Sequence, residues 1–366
     1  MIFMNHFKAD KDLREKMLSA VARVIDSEWY VLGQEVEAFE RNWASICGVR
    51  FGIGVGNGLH AIEIALRSMD IGPGDEVITT PMTAFATVLA IYRVGAQPVL
   101  ADIEPDRALL SIESVQRCLS SRTKAILLVH IYGQIADMHS WVDLCKCYKI
   151  ALVEDCAQAH LASWQGRTAG SFGEVGAYSF YPTKNLGAIG DAGMVVTDNE
   201  WFAKKALCLR NYGQSVRGYH SDLGMNSRLD EIQAAILQVR LQWLVEFTNN
   251  RRTIAKAYRE AICHPLVKIL LPPEEQESHV YHLFVITCEA REALQAHLQH
   301  HGIQTLIHYP VPVHHQKPCS NIMRDPNGLI NSEFHANTCL SLPCHPQMSK
   351  DQVEIVIEAI NTFPCP

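Results

Sequence analysis

The chain has 366 residues, of which 48% are hydrophobic and 19% charged, and its formal net charge at pH 7 is -7. This composition is typical of a globular protein with a large core, and the length predicts two domains or one large and one small domain. General nucleic-acid binding is excluded because the sequence has no basic block. Membrane insertion is excluded because no apolar run approaches the roughly 20 residues of a spanning helix.

The cysteines and the N-terminal residues indicate a reducing compartment. Twelve cysteines are scattered along the chain, and Cys145 and Cys147 show C-x-C spacing rather than the C-x-x-C spacing of metal sites. The first residues lack the basic and then apolar layout of a signal peptide. We therefore expect reduced, mostly buried thiols in a cytoplasmic protein. A metal site formed by this cysteine pair and a distant histidine is the less favoured alternative.

Strands and helices are predicted to alternate in the first half of the chain. Residues 8–27 have the apolar spacing of an amphipathic helix, and a second helix follows Gly33. Apolar strands separated by helices of about ten residues then predict a mostly parallel sheet that is covered on both faces. The predicted strands are Phe51–Val55, Glu76–Thr80, Pro98–Ile103, Thr123–His130, Ile150–Val153 and Met194–Thr197, and the predicted helices lie at Ala61–Leu66, Ala84–Val94, Ile112–Leu119 and Met138–Tyr148.

The alternation ends after Thr197, which indicates a different kind of unit. The pattern predicts a helix at Trp201–Leu209, a polar segment at Asn211–Gly224 and one long helical stretch from Leu229 to about Ile262. A smaller α+β domain over 246–366 is expected to follow a large α/β domain over 1–245, and the N-terminal helix could also pack on the small domain. The elements predicted for the small domain are a strand at Val280–Thr287 and helices at Ala290–His300 and Lys350–Ile360.

A loop framed by glycines carries a single lysine, Lys184. The β-prone run that precedes it is broken by Pro182, and Gly187, Gly190 and Gly193 follow. This pattern predicts a tight loop between two strands. A lysine with few charged neighbours can lose part of its hydration, and a desolvated amine is a better nucleophile toward a carbonyl group. Most loop lysines are simply exposed, so the interpretation depends on the surrounding residues.

Three further features agree with a cofactor that reacts with Lys184. Asp155 ends a buried strand, where ligands bind in open α/β sheets. It could cap a turn, or it could pair with the protonated ring nitrogen of pyridoxal phosphate. Residues Gly56–Leu59 lie between a strand and a helix, and suit either a plain turn or a phosphate site at a helix N-terminus. The Ser179 hydroxyl, five residues before Lys184, could reach the same phosphate.

Four segments together resemble one family, the sugar-nucleotide aminotransferases of the DegT/DnrJ/EryC1/StrS family. The likeness extends from Trp29–Gly33 to His308–Pro310, and so covers nearly the whole chain. It implies an aspartate-aminotransferase-type fold (pyridoxal-phosphate fold type I) and a homodimer with active sites at the subunit interface. The four segments are Gly56–Leu59, Glu154–His160, Tyr178–Gly187 and Gly224–Ala235.

The resemblance implies a role for each matching residue. Lys184 would bind the aldehyde of pyridoxal 5'-phosphate and later carry the proton between the cofactor carbon and the substrate carbon. The matching cofactor-binding residues are Asp155 at the ring nitrogen, Gln158 at the phenolic oxygen, Gly58, Leu59 and Ser179 at the phosphate, and Asn226 and Arg228 in a segment that reaches the neighbouring subunit's site.

The segment that begins at His308 is expected to face the sugar. Isolated histidines are usually held by ordinary structural contacts, but His308 and Tyr309 match the family's His-Tyr-Pro, and His314 matches the histidine after it. Tyr181 could contact the substrate from the other side. A zinc site at these histidines is disfavoured because no carboxylate or thiol is spaced along the sequence to complete it.

The acceptor is expected to be a nucleotide-linked keto-deoxysugar. Many members have an aromatic residue that stacks on the cofactor ring where this chain has Ala84, and Phe85 follows one place later, so the stacking residue stays open. The run Thr83–Thr87, with Gly56–Leu59, is similar to the branch of the family that aminates C3 of the sugar.

The resemblance therefore predicts transfer of an amino group from glutamate to a dTDP-3-keto-6-deoxyhexose. The product would be a 3-amino-3,6-dideoxyhexose, used in the biosynthesis of a natural product or of a glycan such as lipopolysaccharide O-antigen. A 4-keto acceptor is the nearest alternative. Related dehydratases have a histidine in place of the lysine, so Lys184 argues against dehydration. A non-catalytic regulatory protein is disfavoured because it would have no need of Lys184, Asp155 and Ser179 together.

Overall fold

Residues 1–4, 8–273 and 275–364 are described by a computed structural model, in which strands and helices alternate over residues 51–155 of a first part that ends at residue 209. The elements of this first part are α1 (Lys11–Ser27), α2 (Gln34–Cys47), β1 (Phe51–Val55), α3 (Gly58–Ser68), β2 (Glu76–Thr79), α4 (Phe85–Arg93), β3 (Gln97–Leu100), α5 (Ile112–Cys118), β4 (Thr123–Val129), α6 (Met138–Tyr148), β5 (Ala151–Asp155), β6 (Ser163–Trp164), β7 (Arg167–Thr168), β8 (Val175–Ser179), β9 (Gly193–Thr197) and α7 (Glu200–Leu209).

Mostly short strands, with helices between them, make up the second part of the chain. They are β10 (Gln214–Val216), β11 (Tyr219–His220), α8 (Glu231–Leu241), α9 (Leu244–Ala261), β12 (Lys268–Ile269), β13 (Phe284–Thr287), α10 (Arg291–His300), β14 (Met323–Arg324), α11 (Ile330–Thr338), β15 (Cys339–Leu342) and α12 (Lys350–Asn361).

An eight-stranded sheet has the order β1-β9-β8-β5-β4-β2-β3-β14. Neighbouring strands run parallel from β8 to β14, whereas β9 runs antiparallel to both β8 and β1. Alternate residues of β4 enter two different apolar clusters, Ile126 and Leu128 on one face and Ala125 and Leu127 on the other. Since successive strand residues point to opposite faces, both faces are buried, as expected of a parallel sheet. The predicted α/β fold with a mostly parallel sheet is confirmed.

The strand directions bring several strand ends to one edge of this sheet. Asp155 ends β5, and Ser179 ends the parallel strand β8. The antiparallel strand β9 begins at the same edge with Gly193, which is paired with both Ser179 and Val55 at the end of β1. The segments that follow β1, β5 and β8 therefore meet at the carboxyl edge, where ligands bind in such sheets.

A second, three-stranded antiparallel sheet has the order β12-β13-β15. Tyr258 of α9, Phe284 of β13 and Leu340 of β15 belong to the apolar cluster that covers it, together with Ile2 from the N-terminus. The short strand β14 instead returns to the large sheet and pairs with β3. Residues beyond 246 thus contribute to both sheets, and the domain boundary at 245/246 stays a prediction.

Two predicted elements differ in the structure. The single helical stretch from Leu229 to about Ile262 is wrong, because the helix ends at Leu241 and a new helix starts at Leu244. The first of these helices packs on α1 through Ala20, Val24 and Ala235, whereas the second packs on the three-stranded sheet. The strand predicted over 280–287 begins only at residue 284, because the backbone N–H groups before it bond to the loop after β4.

The eleven cysteines that the structure describes are free thiols, and only Cys147 and Cys263 among them are exposed. The twelfth cysteine, Cys365, was also predicted to be a reduced thiol, but it lies outside the described residues. Among the described helices, none combines the length and the apolar character that crossing a membrane requires.

Candidate active site

The loop that carries Lys184 joins the adjacent antiparallel strands β8 and β9, as the sequence predicts. Its own backbone closes it: Phe180 N–H donates to the Ala192 carbonyl at 2.8 Å, and Lys184 N–H donates to the Tyr181 carbonyl at 2.8 Å. Gly187 is required inside the loop, because a Cβ atom there would lie 2.5 Å from the Pro182 carbonyl oxygen. The loop therefore holds the lysine at a fixed place on the carboxyl edge.

The Lys184 amine is poised to lose its proton near neutral pH. Burial lowers the pKa of Lys184 to about 8, and the negative charge of Asp155 opposes this change without cancelling it. A lowered pKa increases the fraction of neutral amine, which is the form that attacks a carbonyl carbon. Lys184 is therefore chemically distinct from an exposed surface lysine.

Asp155 is a buried carboxylate with one hydrogen-bond donor on each oxygen. Only 5% of its surface is exposed. The Thr87 hydroxyl donates to Oδ2 at 2.9 Å, and the Ala157 N–H donates to Oδ1 at 3.1 Å. Burial raises the pKa of Asp155, whereas the two donors and the charge of Lys184 lower it. The hydrogen bond from the Ala157 N–H is typical of a residue that caps a turn. A turn cap does not need to be buried or to lie within the electrostatic influence of the Lys184 amine, so Asp155 is suited to more than capping.

The N-terminus of α3 packs directly against Ser179. Asn57 caps the helix by accepting the His60 N–H at 2.9 Å. A Cβ atom on Gly58 would lie 2.6 Å from the Ser179 Cβ, and one on Gly193 would lie 2.4 Å from the Asn57 carbonyl oxygen, so both close approaches require glycine. The first N–H groups of a helix have no acceptor within it and attract anions. Together with the Ser179 hydroxyl they form a cradle suited to a phosphate.

Gln158 links this edge of the sheet to Tyr309. Its Nε2 donates to the Tyr309 hydroxyl at 3.1 Å, and its Oε1 accepts the Tyr132 N–H at 2.6 Å. The Tyr132 hydroxyl in turn donates to the His308 carbonyl at 2.5 Å. The segment 308–309, remote in sequence, is thereby attached to the residues that follow β4 and β5.

His308 and Tyr309 are both uncharged near neutral pH. Burial and the charge of Lys184 lower the pKa of His308 to about 4, and its Nδ1 lies 2.9 Å from the Ser341 hydroxyl. Burial and the negative charge of Asp155 raise the pKa of Tyr309 to about 12. These charge effects place both residues in the electrostatic neighbourhood of Lys184 and Asp155.

Of the other residues singled out in the sequence, Tyr181 belongs to the Lys184 loop and His314 does not. Tyr181 follows the cradle, and 52% of its surface is exposed. His314 is buried, and its Nε2 lies 3.0 Å from the Glu333 carboxylate. Its described polar contacts include none to the Lys184 loop. The sequence argument that no carboxylate is spaced to complete a zinc site at these histidines is wrong, because α11 brings Glu333 to His314 and, at 3.6 Å, to His315.

The segment around Asn226 is attached to the cradle through a neighbouring residue. Asn226 itself is exposed, and Arg228 donates to the Asn211 side chain at 3.3 Å. The buried Ser227 between them accepts the Gly56 N–H at 3.0 Å, and its hydroxyl lies 3.0 Å from His60 Nδ1. Within one chain, Ser227 is therefore the residue of this segment that meets the glycine loop.

Sequence reasoning missed two residues that shape the site. Thr87 was noted only as part of a run similar to the family, although its position in the first turn of α4, after β2, places it on the carboxyl edge. Tyr132 lies in a short turn with a φ of 62° and offers no sequence signal. The stacking position also stays open, since Phe85 begins α4 with 36% of its surface exposed.

These residues fit pyridoxal 5'-phosphate. An amine with a lowered pKa suits the aldehyde, a buried carboxylate suits a protonated ring nitrogen, and a cradle of helix N–H groups and a hydroxyl suits the phosphate. The glycine positions support this most directly, because a side chain at Gly58 would occupy the space of the cradle.

The chain is similar to known proteins over nearly its whole length. The sequence profile of the DegT/DnrJ/EryC1/StrS aminotransferase family matches residues 11–361. A dTDP-3-amino-3,6-dideoxy-alpha-D-galactopyranose transaminase from Aneurinibacillus thermoaerophilus is 44% identical over 352 residues, 96% of each chain. A protein of Geobacillus stearothermophilus named pleiotropic regulatory protein is 39% identical over 355 residues, 96% of this chain and 95% of its own. The crystal structure of S. venezuelae DesV in complex with a ketimine intermediate has a TM-score of 0.93 and 40% identity, covering 96% of this chain and 95% of that one.

Proposed function

Because the chain belongs to the DegT/DnrJ/EryC1/StrS aminotransferase family, we propose that it transfers an amino group from glutamate to C3 of a dTDP-linked 3-keto-6-deoxyhexose. The chain is a pyridoxal-phosphate-dependent aminotransferase with the predicted aspartate-aminotransferase-type fold. The proposal concerns its acceptor, its donor and the residues that act. It rests on one observation above all: the Lys184 amine and the buried Asp155 carboxylate lie at the carboxyl edge of the sheet, where the charge of each shifts the pKa of the other.

Pyridoxal phosphate, when bound, supplies an aldehyde that carries nitrogen between donor and acceptor and a ring that takes up electrons. Lys184 would hold the cofactor covalently, and its neutral Nζ would then accept and return the proton of the substrate carbon. Asp155 would keep the ring nitrogen protonated, and Gln158 would orient the ring from its phenolic side. The Gly58 and Leu59 amides and the Ser179 hydroxyl would bind the phosphate.

The substrate side of the site would be formed by uncharged groups. A neutral His308 can donate one hydrogen bond and accept another, which suits a sugar hydroxyl or a ketone. The Tyr309 hydroxyl accepts from Gln158 and keeps its own hydrogen for a partner. Tyr181 is an exposed residue of the Lys184 loop, from which its side chain would reach the sugar. His314 would contribute indirectly, because its contact with Glu333 holds in place the segment that begins at His308.

We also infer that the enzyme acts in the cytoplasm as a homodimer with shared active sites. Two apolar side chains near the site are exposed in the single chain, Ile189 by 57% and Leu223 by 88%. A second copy of the chain would cover them at a subunit interface. Asn226 and Arg228, which lie at this surface, would then meet the phosphate site of the second copy.

The acceptor is the most specific part of the proposal, and a product analysis tests it. The purified protein is incubated with glutamate, pyridoxal phosphate and, in separate reactions, dTDP-linked 3-keto and 4-keto-6-deoxyhexoses. We expect NMR to locate the new amine at C3 and to detect product only with the 3-keto acceptor. A reaction without glutamate is the control for the donor. An amine at C4, or transfer to the 4-keto sugar alone, would favour the alternative acceptor.

A non-catalytic regulatory role, which the name of one relative raises, has less support. This chain keeps the amine, the carboxylate and the phosphate cradle in one place. Regulation without catalysis would leave that arrangement without a purpose.

A further inference from the structure

Two threonine hydroxyls form a chain of hydrogen bonds that ends on Asp155. The Thr87 hydroxyl donates to Asp155 Oδ2 at 2.9 Å, and the Thr83 and Thr87 hydroxyl oxygens are 2.8 Å apart. A hydroxyl has one hydrogen, and that of Thr87 points to the carboxylate, so Thr83 must donate to Thr87. All three side chains are buried. Water therefore cannot readily replace either hydroxyl.

The hydrogen bond from Thr87 helps to keep Asp155 in its charged form. Burial raises the pKa of Asp155, and among the described residues the Ala157 N–H and the Thr87 hydroxyl stabilise its charged form by direct hydrogen bonds. The titratable groups that act on Asp155 or respond to it are Lys184 from the loop after β8, His130 after β4, Cys156 after β5 and Tyr309 from the second part of the chain. Lys184 and His130 lower the pKa of Asp155, whereas burial raises the pKa of the Cys156 thiol and the Tyr309 phenol, so that both of these groups are neutral near pH 7.

The bonds also fix the direction of the carboxyl group. With one donor on each oxygen, the group cannot rotate without breaking a hydrogen bond in a buried place, which is costly. Thr87 is itself held at the start of α4 by Thr83. Both the ionisation and the orientation of Asp155 thus depend on the start of α4 as well as on β5, which carries the residue.

We propose that Thr87, held in place by Thr83, is a positioning residue that keeps the Asp155 carboxylate ionised and turned toward the ring nitrogen of the cofactor. The consequence for catalysis rests on the proposed function. The effect on Asp155 itself does not, because the hydrogen bonds are present within the protein alone.

The test compares Thr87→Val, which keeps the shape and removes the hydroxyl, with Thr87→Ser, which keeps the hydroxyl. The pKa of Asp155 is measured in the cofactor-free full chain by carboxyl 13C NMR, and the resonance is assigned by its loss in Asp155→Asn. We expect Thr87→Val to raise the pKa of Asp155 and Thr87→Ser to leave it near the wild-type value. The affinity for pyridoxal phosphate should fall about tenfold in Thr87→Val and recover in Thr87→Ser.

Thr79→Val is the matched control. Thr79 is fully buried like Thr87, and its hydroxyl donates to the Leu127 carbonyl at 2.8 Å, away from Asp155. This variant loses a buried hydrogen bond of the same kind, so we expect lower stability but an unchanged pKa of Asp155.

An unchanged pKa of Asp155 in Thr87→Val would overturn the proposal, whatever the variant does to turnover. If Thr87→Val does not fold, Thr83→Val replaces it, and we expect a smaller rise of the same pKa because the donor to Thr87 is lost. No rise in Thr83→Val would then count against the proposal. A protein that binds no pyridoxal phosphate would refute the proposed function, while the NMR result would still decide the role of Thr87.

Discussion

Replacing Lys184 with alanine is expected to lower transamination by at least about a thousandfold. The substitution removes the amine that would hold the cofactor covalently and carry the substrate proton. Burial lowers the pKa of this amine to about 8, which suits it to both tasks. Turnover with glutamate and the keto sugar is measured for both proteins under saturating pyridoxal phosphate, so that weaker cofactor binding does not explain the loss.

Two further variants separate the chemistry from folding. Lys184→Arg keeps a positive charge beside Asp155, and we expect a folded but equally inactive protein, because a guanidinium stays protonated and cannot carry the proton. Lys204→Ala removes an exposed lysine of α7 that pairs with Glu200, and its turnover should match the wild type. Substantial turnover in Lys184→Ala would contradict the role of this residue.

Replacing Asp155 with asparagine should reduce turnover by about a hundredfold to several thousandfold. Loss of one partner of a buried charge pair costs about 3–5 kcal/mol, and here the carboxylate would otherwise keep the ring nitrogen protonated. The same variant has a consequence at Lys184. Because Asp155 raises the pKa of Lys184, its removal should lower that pKa further below about 8. The pH dependence of amine acylation at Lys184 in the cofactor-free protein measures this change.

Asp75→Asn is the matched control for Asp155→Asn. Asp75 is a partly buried turn residue that accepts the Gly72 N–H at 3.0 Å. It precedes β2 and so lies at the opposite edge of the parallel sheet. Its replacement should leave both turnover and the pKa of Lys184 unchanged. If Asp155→Asn behaved like Asp75→Asn, the carboxylate would not be the partner of the cofactor.

Much of the α/β fold could be predicted because the apolar periodicity and the glycine positions of a short segment determine whether that segment forms a helix, a strand or a turn. The strand Phe51–Val55 and the helix Met138–Tyr148 have the bounds that their patterns predict. The break of the long helix between Leu241 and Leu244 could not be predicted, since neither glycine nor proline stands there. Packing decides that break, because the two helices lie on different apolar clusters.

Site residues that belong to a local sequence motif could be predicted, whereas contacts between residues far apart in the sequence could not. Lys184, Asp155 and the glycine loop each follow a strand that ends at the same edge, which the alternation of strands and helices already indicates. The bond between Gln158 and Tyr309 joins residues 151 positions apart, and that between Thr87 and Asp155 joins residues 68 positions apart. Only the folded chain shows such pairs, and Glu333 beside His314 is a third example.

Covalent trapping of the cofactor tests the central claim most directly. The purified protein is loaded with pyridoxal phosphate, reduced with borohydride and digested, and the labelled peptide is identified by mass spectrometry. We predict a visible absorption band that borohydride bleaches, and a cofactor label on Lys184 within the segment Tyr178–Gly187. A colourless protein that takes up no pyridoxal phosphate, or a label on a different lysine, would contradict the account.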